Sequence, residues 1–233
     1  MGCSVARPDR THLTLKAAVT ALLLTLAPAC GAATATIVNA PAPLIDAPST
    51  AGQETAVFAG GCFWGVDGVF SHVKGVRSVV SGYAGPNAPA VDYETVSTGT
   101  TGYAESVRVT YDPHIISYGG LMRIFFSVIT DPTTLNYQGP DHGTQYRSAL
   151  FPMNPAQDKA ARAYIAQLGR SRLWAKPIVT RVEPYRGFQP AEGYHQDFLT
   201  RNPNHPYIRA WDAPKVAALK ATFPALWQEK ATR

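Results

Sequence analysis

The apolar positions change their period several times along the chain. Thr55-Ala56-Val57-Phe58-Ala59 is a short continuous apolar run, as a buried strand has, and Gly60-Gly61 breaks it. Phe63, Val66, Val69 and Phe70 then fall at helical spacing within residues 63–72. Val76 to Tyr83 reads as a second strand. Ser106 to Tyr111 reads as a third, with Val107 and Val109 alternating against polar neighbours. Ser117 is placed to cap a helix carrying Leu121, Ile124, Phe125 and Val128 on one face, which Asp131-Pro132 ends. Gln145 to Phe151 is strand-like. Asn154-Pro155 opens a helix to about Gly169, with Asn as cap and Pro in the first turn. Val179 to Pro184 predicts another strand, residues 191–200 a short helix, and 141–145 and 202–213 polar loops. The order β-α-β-β-α-β-α-β predicts an α+β fold, a two-layer plait with a ferredoxin-like core and helices packed on a mixed sheet.

The first thirty residues follow another pattern. Arg7, Arg10 and Lys16 precede the apolar run Ala17 to Leu26, and Ala27-Pro28-Ala29 follows. A basic start, a short apolar stretch and a small-x-small end predict a secretory signal over 1–29, too short to span a bilayer. Residues 30–53, rich in Ala, Pro and Thr, read as a linker or N-terminal arm, and 54–233 as a single domain. The expected location is outside the cytoplasm, in the periplasm, with Cys30 as a site for a lipid anchor. The leader takes three basic residues and one acid with it, so the formal net charge falls from +5 to +3. Such a mild charge without a Lys/Arg run gives no support for nucleic-acid binding.

Cysteine usage points at chemistry. Of Cys3, Cys30 and Cys62, only Cys62 lies inside the predicted fold, so there is no internal disulfide framework. It sits in Gly60-Gly61-Cys62-Phe63-Trp64-Gly65. Two glycines allow a sharp turn from strand to helix, which sets Cys62 at a helix N-terminus, where the dipole favours a thiolate. Phe63 and Trp64 put an aromatic wall beside the sulfur. The bland reading of a lone cysteine is a small buried apolar residue; the paired glycines and paired aromatics weigh against it.

Gly61-Cys62-Phe63-Trp64 resembles the signature of the type A peptide methionine sulfoxide reductases. Gly82-Tyr83-Ala84-Gly85, Asp92-Tyr93, Gly102-Tyr103-Ala104-Glu105, Tyr111-Asp112-Pro113, Asp131-Pro132-Thr133, Gly143-Thr144-Gln145-Tyr146-Arg147-Ser148 and Tyr194-His195-Gln196 resemble further family segments in the same order, over about residues 54–218. The resemblance implies that Cys62 attacks the sulfoxide sulfur and that Glu105 protonates its oxygen. It implies that Tyr93 and Tyr146 donate to that oxygen, that Asp141 tunes the site, and that Phe63 and Trp64 hold the substrate methyl group. It leaves His195, like Gly60 and Gly61, as a supporting or structural residue. Each of these residues also has a plainer reading: Glu105 as a surface charge, Asp141 as a turn former, the aromatics as core.

The residues imply no bound cofactor and no metal, having neither a ligand cluster nor a phosphate-binding glycine pattern. The resemblance implies oxidised proteins or free methionine sulfoxide as substrate and the S epimer, and a monomer is expected. Family members commonly carry C-terminal cysteines that resolve the oxidised catalytic sulfur. Here residues 202–233 hold none, and Ser97 stands where some members have another. An external thiol, thioredoxin-like or small, is therefore expected to reduce the sulfenic acid on Cys62. Two other readings remain open from sequence: a cysteine hydrolase or acyltransferase using Cys62 and His195, and a non-catalytic binding module with an aromatic pocket.

Overall fold

The computed structural model describes residues 37–49, 51–86 and 91–232; the expected leader and Cys30 lie outside the described residues. In chain order the elements are β1 (Glu54–Gly60), α1 (Phe63–Ser71), β2 (Val76–Ala84), α2 (Tyr93–Ser97) and β3 (Ala104–Tyr111). Next come α3 (Tyr118–Ile124), which runs on through a wider π turn (Phe125–Ile129), and the hairpin β4 (Tyr137–Gln138) and β5 (Asp141–His142). A 3-10 turn (Thr144–Tyr146), β6 (Ser148–Phe151), α4 (Pro155–Ser171), β7 (Arg181–Val182) and β8 (Phe188–Pro190) follow. The chain ends with α5 (Phe198–Arg201), a second π turn (Ile208–Asp212) and α6 (Ala213–Thr222).

The main sheet has the order β7-β6-β1-β3-β2-β8. Its inner four strands, β6-β1-β3-β2, pair antiparallel throughout. The halves β1-α1-β2 and β3-α3-β6 thus interleave, which is the expected plait. β8 extends it antiparallel beside β2, and β7 lies parallel to β6, so the sheet is mixed. Alternation along β1 serves both faces. Ala56 and Phe58 join the large core with Phe63, Val66, Phe70, Leu121 and Phe125, whereas Val57 and Ala59 pack on the opposite face with Ala84, Ala104, Ala149 and Phe151. Burial on both faces is why β1 reads as a continuous apolar run rather than an alternating one.

The caps read from sequence are present. The Ser117 side chain accepts from the Gly120 N–H at 3.1 Å, and Asn154 accepts from Gln157 at 2.9 Å. Other expectations need correction. The strand read over Val179 to Pro184 shrinks to Arg181–Val182, and the one read from Gln145 begins only at Ser148. The helix expected over 191–200 is confined to Phe198–Arg201, because Asp197 adopts a left-handed φ of 52°. The loop read at 202–213 instead leads into α6, whose Ala218 and Leu219 are buried. Residues 37–49 are a docked arm. The Ala40 carbonyl accepts from Arg123 Nε at 2.7 Å, Asp46 accepts from the Gly119 N–H at 2.7 Å, and Tyr164 donates to the Pro41 carbonyl at 2.8 Å.

Candidate active site

The C-terminal end of β1 turns into α1 through Gly60-Gly61. Gly61 has φ +96°, and a β-carbon there would meet the Gln138 side chain at 2.6 Å. One at Gly60 would meet the Phe125 ring at 2.8 Å. Both positions therefore exclude larger residues, for conformational and steric reasons. Cys62 takes the position just before the first helical residue and is 8% exposed. It opens into a pocket of about 160 Å³ that Phe63, Trp64, Tyr93, Glu105, Asp141 and Tyr146 also line. Tertiary packing thus gathers seven residues that the sequence reading singled out, from four separate parts of the chain. A larger depression of about 310 Å³ lies at the other end of β1, beside Glu54, Tyr111 and Asn154, and has neither cysteine nor histidine in its lining.

Glu105 enters from β3 opposite Tyr83 of β2 and is 2% exposed. Its carboxyl accepts the first helical N–H of α1, that of Phe63, at 3.0 Å. Burial dominates even so and pushes its pKa up to about 8, while Phe63 opposes the shift and Asp141 and Asp212 add to it. Glu105 is therefore largely protonated at neutral pH.

The expectation of a resting thiolate on Cys62 needs correction. Burial raises the thiol pKa well above its usual value, and Glu105, Asp212 and Asp141 raise it further; the Trp64 N–H acts in the opposite direction. The dipole of the nine-residue α1 is outweighed by desolvation and by acids in and under the pocket.

The phenols are held from behind. Tyr93 starts α2, where Asp92 caps the Thr95 N–H at 2.8 Å and Glu192 accepts the Tyr93 N–H at 2.9 Å. Tyr146 sits in the 3-10 turn, fixed by its neighbours. Gln145 donates to the Ser97 carbonyl at 3.1 Å, Thr144 to Gly99 at 2.6 Å, and Arg147 pairs with Glu183 at 2.8 Å while donating to Gly102 at 3.0 Å. Burial and then Glu105 raise both phenol pKa values, so both hydroxyls remain donors.

His195 lies behind the aromatic wall and outside the pocket lining. Trp64 Nε1 donates to its Nδ1 at 3.1 Å. The ring proton therefore resides on Nε2, which is buried without a hydrogen-bond partner among the described residues, 3.9 Å from Glu192. Burial lowers its pKa and holds it neutral. Neither nitrogen offers a free lone pair, so the histidine cannot serve as base for Cys62. Its ring packs 4.9 Å from Phe63 and 4.5 Å from Tyr93, between centroids, and it orients Trp64, which stacks on Phe198 at 3.8 Å.

Two residues at the site escaped the sequence reading. Tyr207 lines the pocket and donates its hydroxyl proton to Asp141 Oδ2. Asp212 is fully buried against Gly65 of α1 and pairs with Lys215 at 3.3 Å. Pro214 within two residues of an aspartate was the available signal for a helix start there, and hence for an ordered segment before it. Among the described residues no group of three or more His, Cys, Asp or Glu side chains is arranged to hold a metal ion.

A buried lone thiol sharing a small pocket with a protonated acid and two phenolic donors defines an acid-assisted cysteine oxidoreductase rather than a Cys–His hydrolase. The sequence matches the family model described as peptide methionine sulfoxide reductase over residues 54–226. It is 57% identical to peptide methionine sulfoxide reductase MsrA 2 of Mesorhizobium japonicum over 186 residues, 80% of this chain and 95% of the relative. It is 51% identical to MsrA of Deinococcus radiodurans over 173 residues, 74% and 84% of the two chains. The structure is similar to methionine sulfoxide reductase A of Corynebacterium diphtheriae, with TM-score 0.61, 29% identity and coverage of 73% and 90%. It is also similar to reduced Mxr1 of Saccharomyces cerevisiae, with TM-score 0.59, 34% identity and coverage of 67% and 90%. The chain belongs to the peptide methionine sulfoxide reductase family, type A, and is an oxidoreductase that reduces methionine sulfoxide.

Proposed function

We propose that this chain reduces the S epimer of methionine sulfoxide, free and in proteins, with Cys62 as nucleophile and Glu105 as proton donor. The observation that carries the assignment of roles is the fully buried Glu105, kept protonated to about pH 8 in the same pocket as the only cysteine of the fold. The substrate methyl group packs on Phe63 and Trp64, and the sulfoxide oxygen points to Glu105, Tyr93 and Tyr146. Glu105 gives its proton to that oxygen as the Cys62 sulfur bonds to the sulfoxide sulfur, so a neutral hydroxyl rather than an oxide develops. Glu105 recovers the proton that the thiol loses, and the oxygen ends on Cys62. Overall, thiol plus sulfoxide gives sulfenic acid plus thioether. The raised thiol pKa fits this order: ionisation accompanies proton delivery and does not precede it. Asp141, hydrogen-bonded to Tyr207, adds negative charge on one side of the pocket.

With no second cysteine in residues 54–233, an external thiol, thioredoxin-like or small, returns Cys62 to the reduced state. The basic-then-apolar pattern of residues 1–29 supports export to the periplasm, with Cys30 as a lipid attachment point, and the enzyme acts as a monomer. Incubating the protein once with methionine sulfoxide and no reductant should add one oxygen to Cys62. A thioester adduct, or no change in mass, would overturn the mechanism. N-terminal sequencing of protein from its native host tests the export reading, which predicts a start near Cys30.

A further inference from the structure

We propose that Tyr207 and Asp141 form a proton shuttle for the second half of the cycle, in which an external thiol displaces the oxygen from oxidised Cys62. This rests on the function proposed above. The step joins Cys62–S–OH and R–SH into Cys62–S–S–R and water. The thiol sulfur bonds to the Cys62 sulfur, the S–O bond breaks, and its electron pair leaves with the oxygen. Two protons must move. The incoming thiol has to lose one before it is a good nucleophile, and the departing oxygen has to gain one, because hydroxide leaves poorly.

The groups assigned to the first step do not suit the removal of the thiol proton. Glu105 is already protonated near neutral pH, and its carboxyl is tied to the Phe63 N–H at 3.0 Å. His195 Nδ1 is committed to Trp64, and its Nε2 carries the ring proton. Asp141 is different. It is only partly buried, at the pocket wall; burial raises its pKa, but the Tyr207 hydroxyl and the charges of Lys215 and His142 act against that rise and favour the carboxylate. It is the pocket carboxylate best placed to accept a proton from an arriving thiol.

Tyr207 completes the path. Its hydroxyl touches Asp141 on one side, and its side chain lines the same pocket as Cys62. Its single proton is committed to Asp141 in the reduced enzyme, so it is a poor donor to the sulfoxide oxygen in the first step. When Asp141 takes the thiol proton, Tyr207 is freed to pass its own proton to the departing oxygen and is reprotonated by Asp141. The Tyr207 proton thereby ends in water and the thiol proton ends on Tyr207, so the count balances and both side chains return to their starting state.

The test separates the two half-reactions. The first is followed by methionine release in a single turnover without reductant. The second is followed by loss of the dimedone-reactive sulfenic acid on addition of 2-mercaptoethanol. Tyr207→Phe should slow the second by about 10²-fold, within the range for acid–base catalysis, and by at least ten times more than it slows the first. Asp141→Asn should slow reduction by 2-mercaptoethanol more than reduction by 2,2,2-trifluoroethanethiol, which ionises at lower pH and needs the base less. Equal slowing of both half-reactions in Tyr207→Phe, an unchanged second half-reaction, or an Asp141→Asn defect independent of thiol acidity would overturn the shuttle. Failure of the wild-type enzyme to form any sulfenic acid would instead refute the function proposed above.

Discussion

α1 holds two buried acids within reach of its first turns, and they have different uses. Glu105 and Asp67 are 2% and 4% exposed, and burial raises them to about 8 and about 7 respectively. Each keeps hydrogen bonds that favour the ion: Glu105 from the Phe63 N–H, Asp67 from the Ser81 hydroxyl at 3.0 Å and from the Asp197 backbone. Only their surroundings differ. Glu105 lines the pocket that holds Cys62, whereas Asp67 is closed in between α1 and β2, outside any cavity lining described above. A perturbed pKa marks an energetic cost, and it becomes catalysis only where a reacting atom can reach the group.

The largest break in that contrast is Cys62→Ser, which should abolish sulfoxide reduction while the fold survives; retained turnover in a standard assay would refute the role of the thiol. Glu105→Gln should slow sulfenic acid formation by roughly 10²–10⁴-fold in single turnover, with binding much less affected. The same acid predicts that this step slows as pH rises through about 8, and that Glu105→Gln flattens the profile.

Stability sharpens the comparison further. For either acid the folded state holds a proton that the unfolded state has lost, so its contribution to stability falls as pH rises through the window between the two pKa values. For Glu105 that window runs from 4.5 to about 8, and for Asp67 from 3.8 to about 7. Denaturant unfolding of Glu105→Gln and Asp67→Asn against wild type should therefore show each variant gaining relative stability across its own window. The smallest effect expected is on the chemistry of Asp67→Asn. It should change single-turnover reduction by less than about threefold, since Asp67 does not line the pocket that holds Cys62. A loss comparable to that of Glu105→Gln would erase the distinction.

Elements with strong local signals were legible in the sequence, and so was the chemistry that sits on them. The continuous run of β1, the Gly60-Gly61 turn and the caps at Ser117 and Asn154 are set by neighbours within a few residues. Motif order then placed Cys62, Glu105, Tyr93, Tyr146, Asp141, Phe63 and Trp64 on one list, and the fold puts all seven around one pocket. What local pattern does not carry is hydrogen bonding and packing across long separations. The docked arm depends on carbonyls of Ala40 and Pro41 finding Arg123 and Tyr164, and β8 exists because Phe188–Pro190 meets the edge of β2.

The ionisation of the site belongs to tertiary structure for the same reason. From sequence, Cys62 at a helix N-terminus reads as an activated thiolate, because the dipole is a local property of the backbone. In the folded chain the sulfur is buried near three carboxyl groups, Glu105, Asp212 and Asp141, that lie 43 to 150 residues away along the sequence. Desolvation and those charges reverse the expected direction. Asp212 and Tyr207 arrive from a segment with weak periodicity, where Asp212 and Pro214 signal a helix start but nothing local reports contact with α1 or the pocket. The sequence by itself determined which residues have the chemistry to reduce a sulfoxide. The tertiary structure decided which of them carry a proton, because the free energy of a charge depends on the water it has lost and on every charge brought near it.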